Sequence, residues 1–112
     1  MTNTQDLLQA RSEPRSGAPM ADTEIQPHLA KLDRWTLNGN AIEKTFLFKN
    51  FHRTMAFVNA LAWIAHSEDH HPELTVTYNR CTVRFSTHSV NGLSLNDFIC
   101  AAKTDALGAS VD

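Results

Sequence analysis

Asn50-Phe-His-Arg-Thr-Met-Ala-Phe-Val-Asn-Ala-Leu-Ala-Trp-Ile-Ala-His-Ser67 is the stretch on which the fold turns. Asn50 suits an N-cap, because its side-chain oxygen can accept from a backbone N–H left over in the first turn. The spacing behind it predicts a helix from Phe51 to about Ser67. Phe51, Met55, Val58, Ala62 and Ala65 form one apolar stripe, and Phe57, Leu61 and Ile64 widen it. A stripe that wide can cover a sheet and still leave apolar surface for a second subunit. Trp63 falls with His52, Asn59 and His66 on the more polar face, as an interface residue or a half-buried surface tryptophan.

On either side of this helix the period changes from helical to alternating. Upstream, Trp35 and Leu37 lead to Asn38-Gly39, a hairpin signal because both residues tolerate positive φ. The return strand is Ala41 to Phe48, with Ile42, Phe46 and Phe48 on one parity and Lys44 spoiling the alternation. A lysine there is expected to snorkel or to sit near an edge. Downstream, Leu74, Val76 and Tyr78 alternate with Thr75 and Thr77, and a tight turn at Asn79-Arg80 leads to a strand from Cys81. On that strand Cys81, Val83, Phe85 and Thr87 share one face. Tyr78 is expected in the core.

Ser94-Leu-Asn-Asp97 resembles a capping box opening a last helix, with Leu95, Phe98, Ile99 and Ala102 facing inward and Gly108 as its stop. At the other end Asp22 is expected to cap a short helix over Thr23 to Leu32, with Pro27 near its first turn. The order is helix, two strands, helix, two strands, helix. This is an α+β fold, a four-stranded antiparallel sheet covered on one face by helices. The domain is expected over residues 21–108. Residues 1–20, with Pro14, Gly17 and Pro19 and no periodicity, read as a flexible arm whose removal changes little, and residues 109–112 as a tail.

With 112 residues the chain has enough length for one domain. A formal net charge of −2 gives no basic field for nucleic acid or anionic membrane, and no apolar run approaches a transmembrane helix. The N-terminus lacks the basic-then-apolar pattern of a secretory signal, so Cys81 and Cys100 read as free thiols and the location as cytoplasmic.

The chemistry is concentrated in Glu68-Asp-His70-His71-Pro72-Glu73 and in Ser86-Thr87-His88. Histidine titrates near neutral pH, so a cluster suggests proton transfer or a metal. In extended geometry His70 and His71 point to opposite sides and can do different work. Three histidines and a carboxylate could bind zinc or iron, but the divergence of neighbouring side chains argues against it. Glu68 and Asp69 read as solvated charges at a helix end. Asp97 reads equally well as a capping residue or a site residue. His28, His52 and His66 read as having no chemical role.

His66-Ser-Glu-Asp-His70-His71-Pro72, Tyr78-Asn79-Arg80, Ser86-Thr87-His88, Gly92-Leu93-Ser94 and Asp97 together resemble the pterin-4a-carbinolamine dehydratase family. Trp35-Thr-Leu37, Ala41 to Phe48 and Phe51 are also similar to it, and the resemblance covers roughly Asp22 to Leu107. It implies loss of water from a 4a-hydroxytetrahydropterin to give a quinonoid dihydropterin, in recycling the cofactor of an aromatic amino acid hydroxylase. It implies no metal and no bound cofactor, the pterin being the substrate. It assigns catalytic proton transfer to His70 and His88, and substrate orientation to His71, with Asp97, Pro72 and Thr87 in the substrate-binding set. It implies homodimers or homotetramers, with sheets joined across subunits and helices packed together. Animal members carry an aromatic residue where this chain has Leu74, which bears on the pterin side chain preferred. The alternative is a non-catalytic binding module, since relatives of this kind support a homeodomain transcription factor or assist Rubisco assembly. Such a module has no need of all three histidines.

Overall fold

A computed structural model describes residues 4–111. The elements are α1 (Thr4–Gln9), α2 (Asp22–Leu29), β1 (Thr36–Asn38), β2 (Ala41–Leu47), α3 (Phe51–Glu68), β3 (Glu73–Thr77), β4 (Arg80–Phe85), a 3₁₀ turn (His88–Val90) and α4 (Leu95–Val111). The four strands form one antiparallel sheet in the order β1-β2-β4-β3. Two hairpins, interrupted by a long helix, therefore place their second strands side by side in the centre.

Register explains which face is covered. Ile42 pairs with Phe85, Lys44 with Val83 and Phe46 with Cys81, so these residues share one face with Leu74 and Val76 of the edge strand. That face meets Phe57 and Leu61 of α3 and Phe98 and Ile99 of α4 in the core. The opposite face is polar: Thr45 and Thr82 hydrogen-bond, and Arg84 lies between Glu43 and Glu73. Lys44 stays on the apolar face because its amine reaches Asp105 of α4 at 2.8 Å, and Trp35 Nε1 donates to the same carboxylate. The misfit in the strand pattern is thus a helix-to-sheet tie.

Asn50 caps α3 as its sequence predicts, its Oδ1 accepting from the Arg53 N–H. The helix buries Thr54, Phe57, Leu61, Ile64, Ala65 and Glu68, so the residues that widen the stripe form its inner face. Phe51 and Trp63 remain exposed. The helix ends where Asp69 turns left-handed at φ 51°, a conformation Asp tolerates.

Several sequence expectations shift. The two hairpin loops are Gly39-Asn40 and Tyr78-Asn79, each one residue earlier or later than their dipeptide signals. Gly39 takes the positive φ of the first turn at 65°. Tyr78 consequently leaves the strand, and its ring is exposed rather than core. In α2 the capping position is Ala21, without a side-chain bond, and Asp22 lies inside the first turn. Pro27 sits in the second turn, and the helix ends two residues later at Leu29, with i→i−3 bonds carrying the chain on to Leu32. Gly108 does not stop α4, which continues through residues expected as a tail.

The largest difference concerns residues 4–20 of the segment expected to be a flexible arm, residues 1–3 lying outside the described residues. Here the chain docks. Leu7 on α1 is fully buried in the core cluster, with Leu8, Ala10 and Met20 against it. Farther on, Met20 N donates to Leu93 O at 2.7 Å, and Pro19 crosses Gly92 so closely that a Cβ there would stand 2.6 Å from the proline ring. Gly92 is therefore needed for this approach, not for a special φ. One buried leucine and a set of backbone bonds leave no periodic pattern, which is why the sequence did not reveal the docking.

Candidate active site

The end of α3 and the end of β4 open onto one cleft of about 430 Å³, a size suited to a small heterocycle. Its lining includes His70, His71, Thr87 and His88, so the two histidine segments meet as expected. The break after Asp69 sends His70 inward and leaves His71 exposed. His88 starts the 3₁₀ turn that follows β4 and is exposed as well.

His70 is the fixed member. Its ring lies parallel to that of Phe85 at 5.9 Å, and its Nε2 is 2.6 Å from Asp97 Oδ1. Asp97 is completely buried. Its other oxygen accepts from Thr87 Oγ1 at 2.8 Å and from Ser94 N at 2.9 Å. The Ser94 bond is half of a capping box; the Ser94 hydroxyl accepts from Asn96 N at 3.3 Å and also bonds Thr87 Oγ1 at 2.7 Å. Asp97 therefore both caps α4 and holds a histidine of the cleft. A carboxylate that already accepts from Thr87 and Ser94 takes the Nε2–H of His70 as a third donor. The lone pair of the neutral imidazole then sits on Nδ1.

Of the predicted binding residues, Thr87 lines the cleft and is buried, whereas Asp97 lies behind His70 and Pro72 is not among the lining residues. His28 packs at a tilt of 34° against Phe98 and is not among the lining residues, and His52 and His66 are exposed. Three groups escaped the sequence reading. Glu68 is buried, not solvated: its Oε1 accepts from Ser12 N at 2.7 Å, and its Oε2 faces Arg11 Nε at 3.0 Å and Lys103 Nζ at 3.6 Å. Asn96 is buried and bound to the arm, and Ser12, Glu13, Pro14 and Arg15 of the arm line the cleft. The helix-end charges gave no sign of a cationic partner more than fifty residues away.

The thiols have no part in this geometry. Both are free; burial pushes Cys81 up to about 11, and burial aided by the Glu68 and Asp97 charges pushes Cys100 up to about 12. Among the described residues, no group of three His, Cys, Asp or Glu is placed to hold a metal ion. No described helix is long and apolar enough to cross a membrane.

The geometry can be set beside known proteins. The family profile described as pterin 4 alpha carbinolamine dehydratase matches residues 18–107. A protein of Nitrosospira multiformis, provisionally named a pterin-4-alpha-carbinolamine dehydratase, is 52% identical over 108 residues, covering 95% of this chain and 96% of the relative. One of Chromobacterium violaceum with the same provisional name is 54% identical over 103 residues, covering 91% and 95%. Among solved structures, a transcriptional coactivator/pterin dehydratase from Brucella melitensis superposes with a TM-score of 0.77 at 36% identity, covering 80% of this chain and 98% of its own. A pterin dehydratase-like RuBisCO assembly factor of the alpha-carboxysome, at 22% identity and a TM-score of 0.57 over 67% of this chain and 87% of its own, shares the fold. With a profile spanning most of its length and relatives half identical from end to end, the chain belongs to the pterin-4-alpha-carbinolamine dehydratase family.

Proposed function

We propose that the protein removes water from a 4a-hydroxytetrahydropterin by histidine acid–base catalysis. The observation that carries this reading is His70, facing the cleft with Nε2 committed to buried Asp97. His70 Nδ1 takes the proton from N5 of the substrate. The N5 electron pair forms the C4a=N5 double bond as the C4a–O bond breaks. His88 gives its proton to the departing oxygen, which leaves as water, and the product is the quinonoid dihydropterin. Asp97 stabilises the imidazolium that His70 becomes, as a buried carboxylate beside a histidine base does elsewhere. His71 orients the ring, and Thr87 fixes Asp97 from the cleft side. The step is a proton shuffle that needs no redox cofactor and no metal. In the cell it serves to recycle the pterin of an aromatic amino acid hydroxylase in the cytoplasm.

The test is stopped-flow dehydration of synthetic 4a-hydroxytetrahydropterin. The expected result is acceleration over the uncatalysed reaction, unchanged by chelators. A rate equal to the background ends this reading in favour of a binding module.

The protein is also expected to be an oligomer. Strand β3 is a sheet edge with Leu74 and Val76 partly open, next to Tyr78 at 63% exposure, and Trp63 on α3 is 71% exposed. An open apolar edge invites pairing with another strand. Light scattering at micromolar concentration should return the mass of at least two chains, and a monomer mass would remove the shared-sheet expectation.

A further inference from the structure

The arm segment from Ser12 to Arg15 lines the cleft, yet it lies outside the matched family region and has no part in the proton transfers. Its placement is strongly determined. Asn96 Oδ1 accepts from Glu13 N at 3.1 Å and from Arg15 Nε at 2.9 Å, while Asn96 Nδ2 donates to Glu13 O at 2.7 Å. Ser89 Oγ donates to Arg15 O at 2.8 Å. Upstream, Ser12 N and Arg11 are held by buried Glu68, and Arg11 also donates to Ser67 O. One buried asparagine thus satisfies both backbone groups of Glu13 and aims the neighbouring guanidinium.

Arg15 is the only lysine or arginine among the lining residues. Its Nε goes to Asn96 and its Nη1 lies 3.3 Å from Glu13 Oε1. A guanidinium has five N–H donors, so donors remain for an acceptor in the cleft. Its orientation is set before any ligand arrives, which lowers the cost of binding.

We propose that Arg15 is a substrate-binding residue, donating to an acceptor oxygen of the bound heterocycle, and that Asn96 is the positioning residue that presents it. This rests on the pterin reading above. A reduced pterin offers such oxygens in its ring carbonyl and in the hydroxyls of its side chain. Because the ring carbonyl is unchanged between substrate and product, and the side chain takes no part in the reaction, the contact acts on binding more than on turnover.

The experiment is steady-state dehydration kinetics of the full chain and its variants. In Arg15→Ala, KM is expected to rise about tenfold, the loss of one charge-assisted hydrogen bond, with kcat within about twofold of the parent. Arg15→Lys should recover part of the loss. Asn96→Ala should raise KM similarly, and the double variant no further than either single one, since both remove the same contact. A 6-methyl substrate, which has no side-chain hydroxyls, locates the contact. An effect that persists there assigns it to the ring carbonyl, and one that disappears assigns it to the side chain. An active parent with an Arg15→Ala variant of unchanged KM overturns this inference alone. An inactive parent overturns the dehydratase reading, and this inference with it. Hydrogen exchange of the parent gives an answer free of any folding defect. Dihydropterin should slow exchange in residues 11–16, and protection confined to residues 66–71 and 86–90 counts against the arm.

Discussion

His70→Ala is expected to lower kcat by about 10²–10⁴, the usual contribution of a positioned proton-transfer group. His88→Ala should do the same, whereas His71→Ala should act mainly through KM if the residue orients the substrate as proposed. The structure adds a difference that the sequence alone did not suggest. His70 is buried against Phe85 and is a partner of buried Asp97, so its removal also costs stability, about 1–3 kcal/mol for a buried acceptor deprived of a donor. His71 and His88 are exposed, and their alanine variants should melt like the parent. Asp97→Asn separates the roles of the carboxylate. The amide can still cap α4 through its oxygen, but it cannot stabilise an imidazolium as a charge does. Its kcat should fall as far as that of His70→Ala, with a smaller loss of melting temperature than Asp97→Ala. Stopped-flow rates and circular dichroism melts on the five variants decide this. Parent-like turnover in folded His70→Ala and His88→Ala variants removes the acid–base assignment.

The second large effect is on the arm. Leu7→Ala should destabilise the fold by about 2–4 kcal/mol, the range for a buried leucine truncated in a core. For a domain of this size that is a fall of about 10–20 °C in Tm. Deleting residues 1–20 should cost at least as much, reversing the expectation of little change that the segment's polar composition suggests. It also strips one wall from the cleft, so KM should rise in whatever fraction remains folded. Differential scanning calorimetry checks the first claim; a truncated protein that melts like the parent would show that the docked arm contributes no stability.

These two expectations mark where the sequence was legible. Alternation and helical spacing located both hairpins, the long helix and the capping box, because each pattern is local and repeats over several residues. The cleft was legible for the same reason: His70, His71, Thr87 and His88 lie in two short segments at the ends of those elements. Glu68, Asn96 and Arg15 were not, because each owes its position to a partner more than fifty residues away. A carboxylate at a helix end reads as solvated until its cation is known. Tyr78 was misplaced by a hairpin loop one residue earlier than its signal, enough to turn a core side chain into an exposed one.

The buckle between Glu13 and Asn96 joins residues 83 positions apart. The arm is synthesised before Leu93, Asn96 and Lys103, which complete the contacts that hold it. No nascent chain can close the cleft until α4 has left the ribosome. The sheet and α3 can assemble earlier around local hairpin contacts, whereas the arm must wait to make its long-range ones. Closure of the cleft thus follows the synthesis of α4, and a chain arrested before Asn96 would carry its histidines on a formed sheet beside an open cleft.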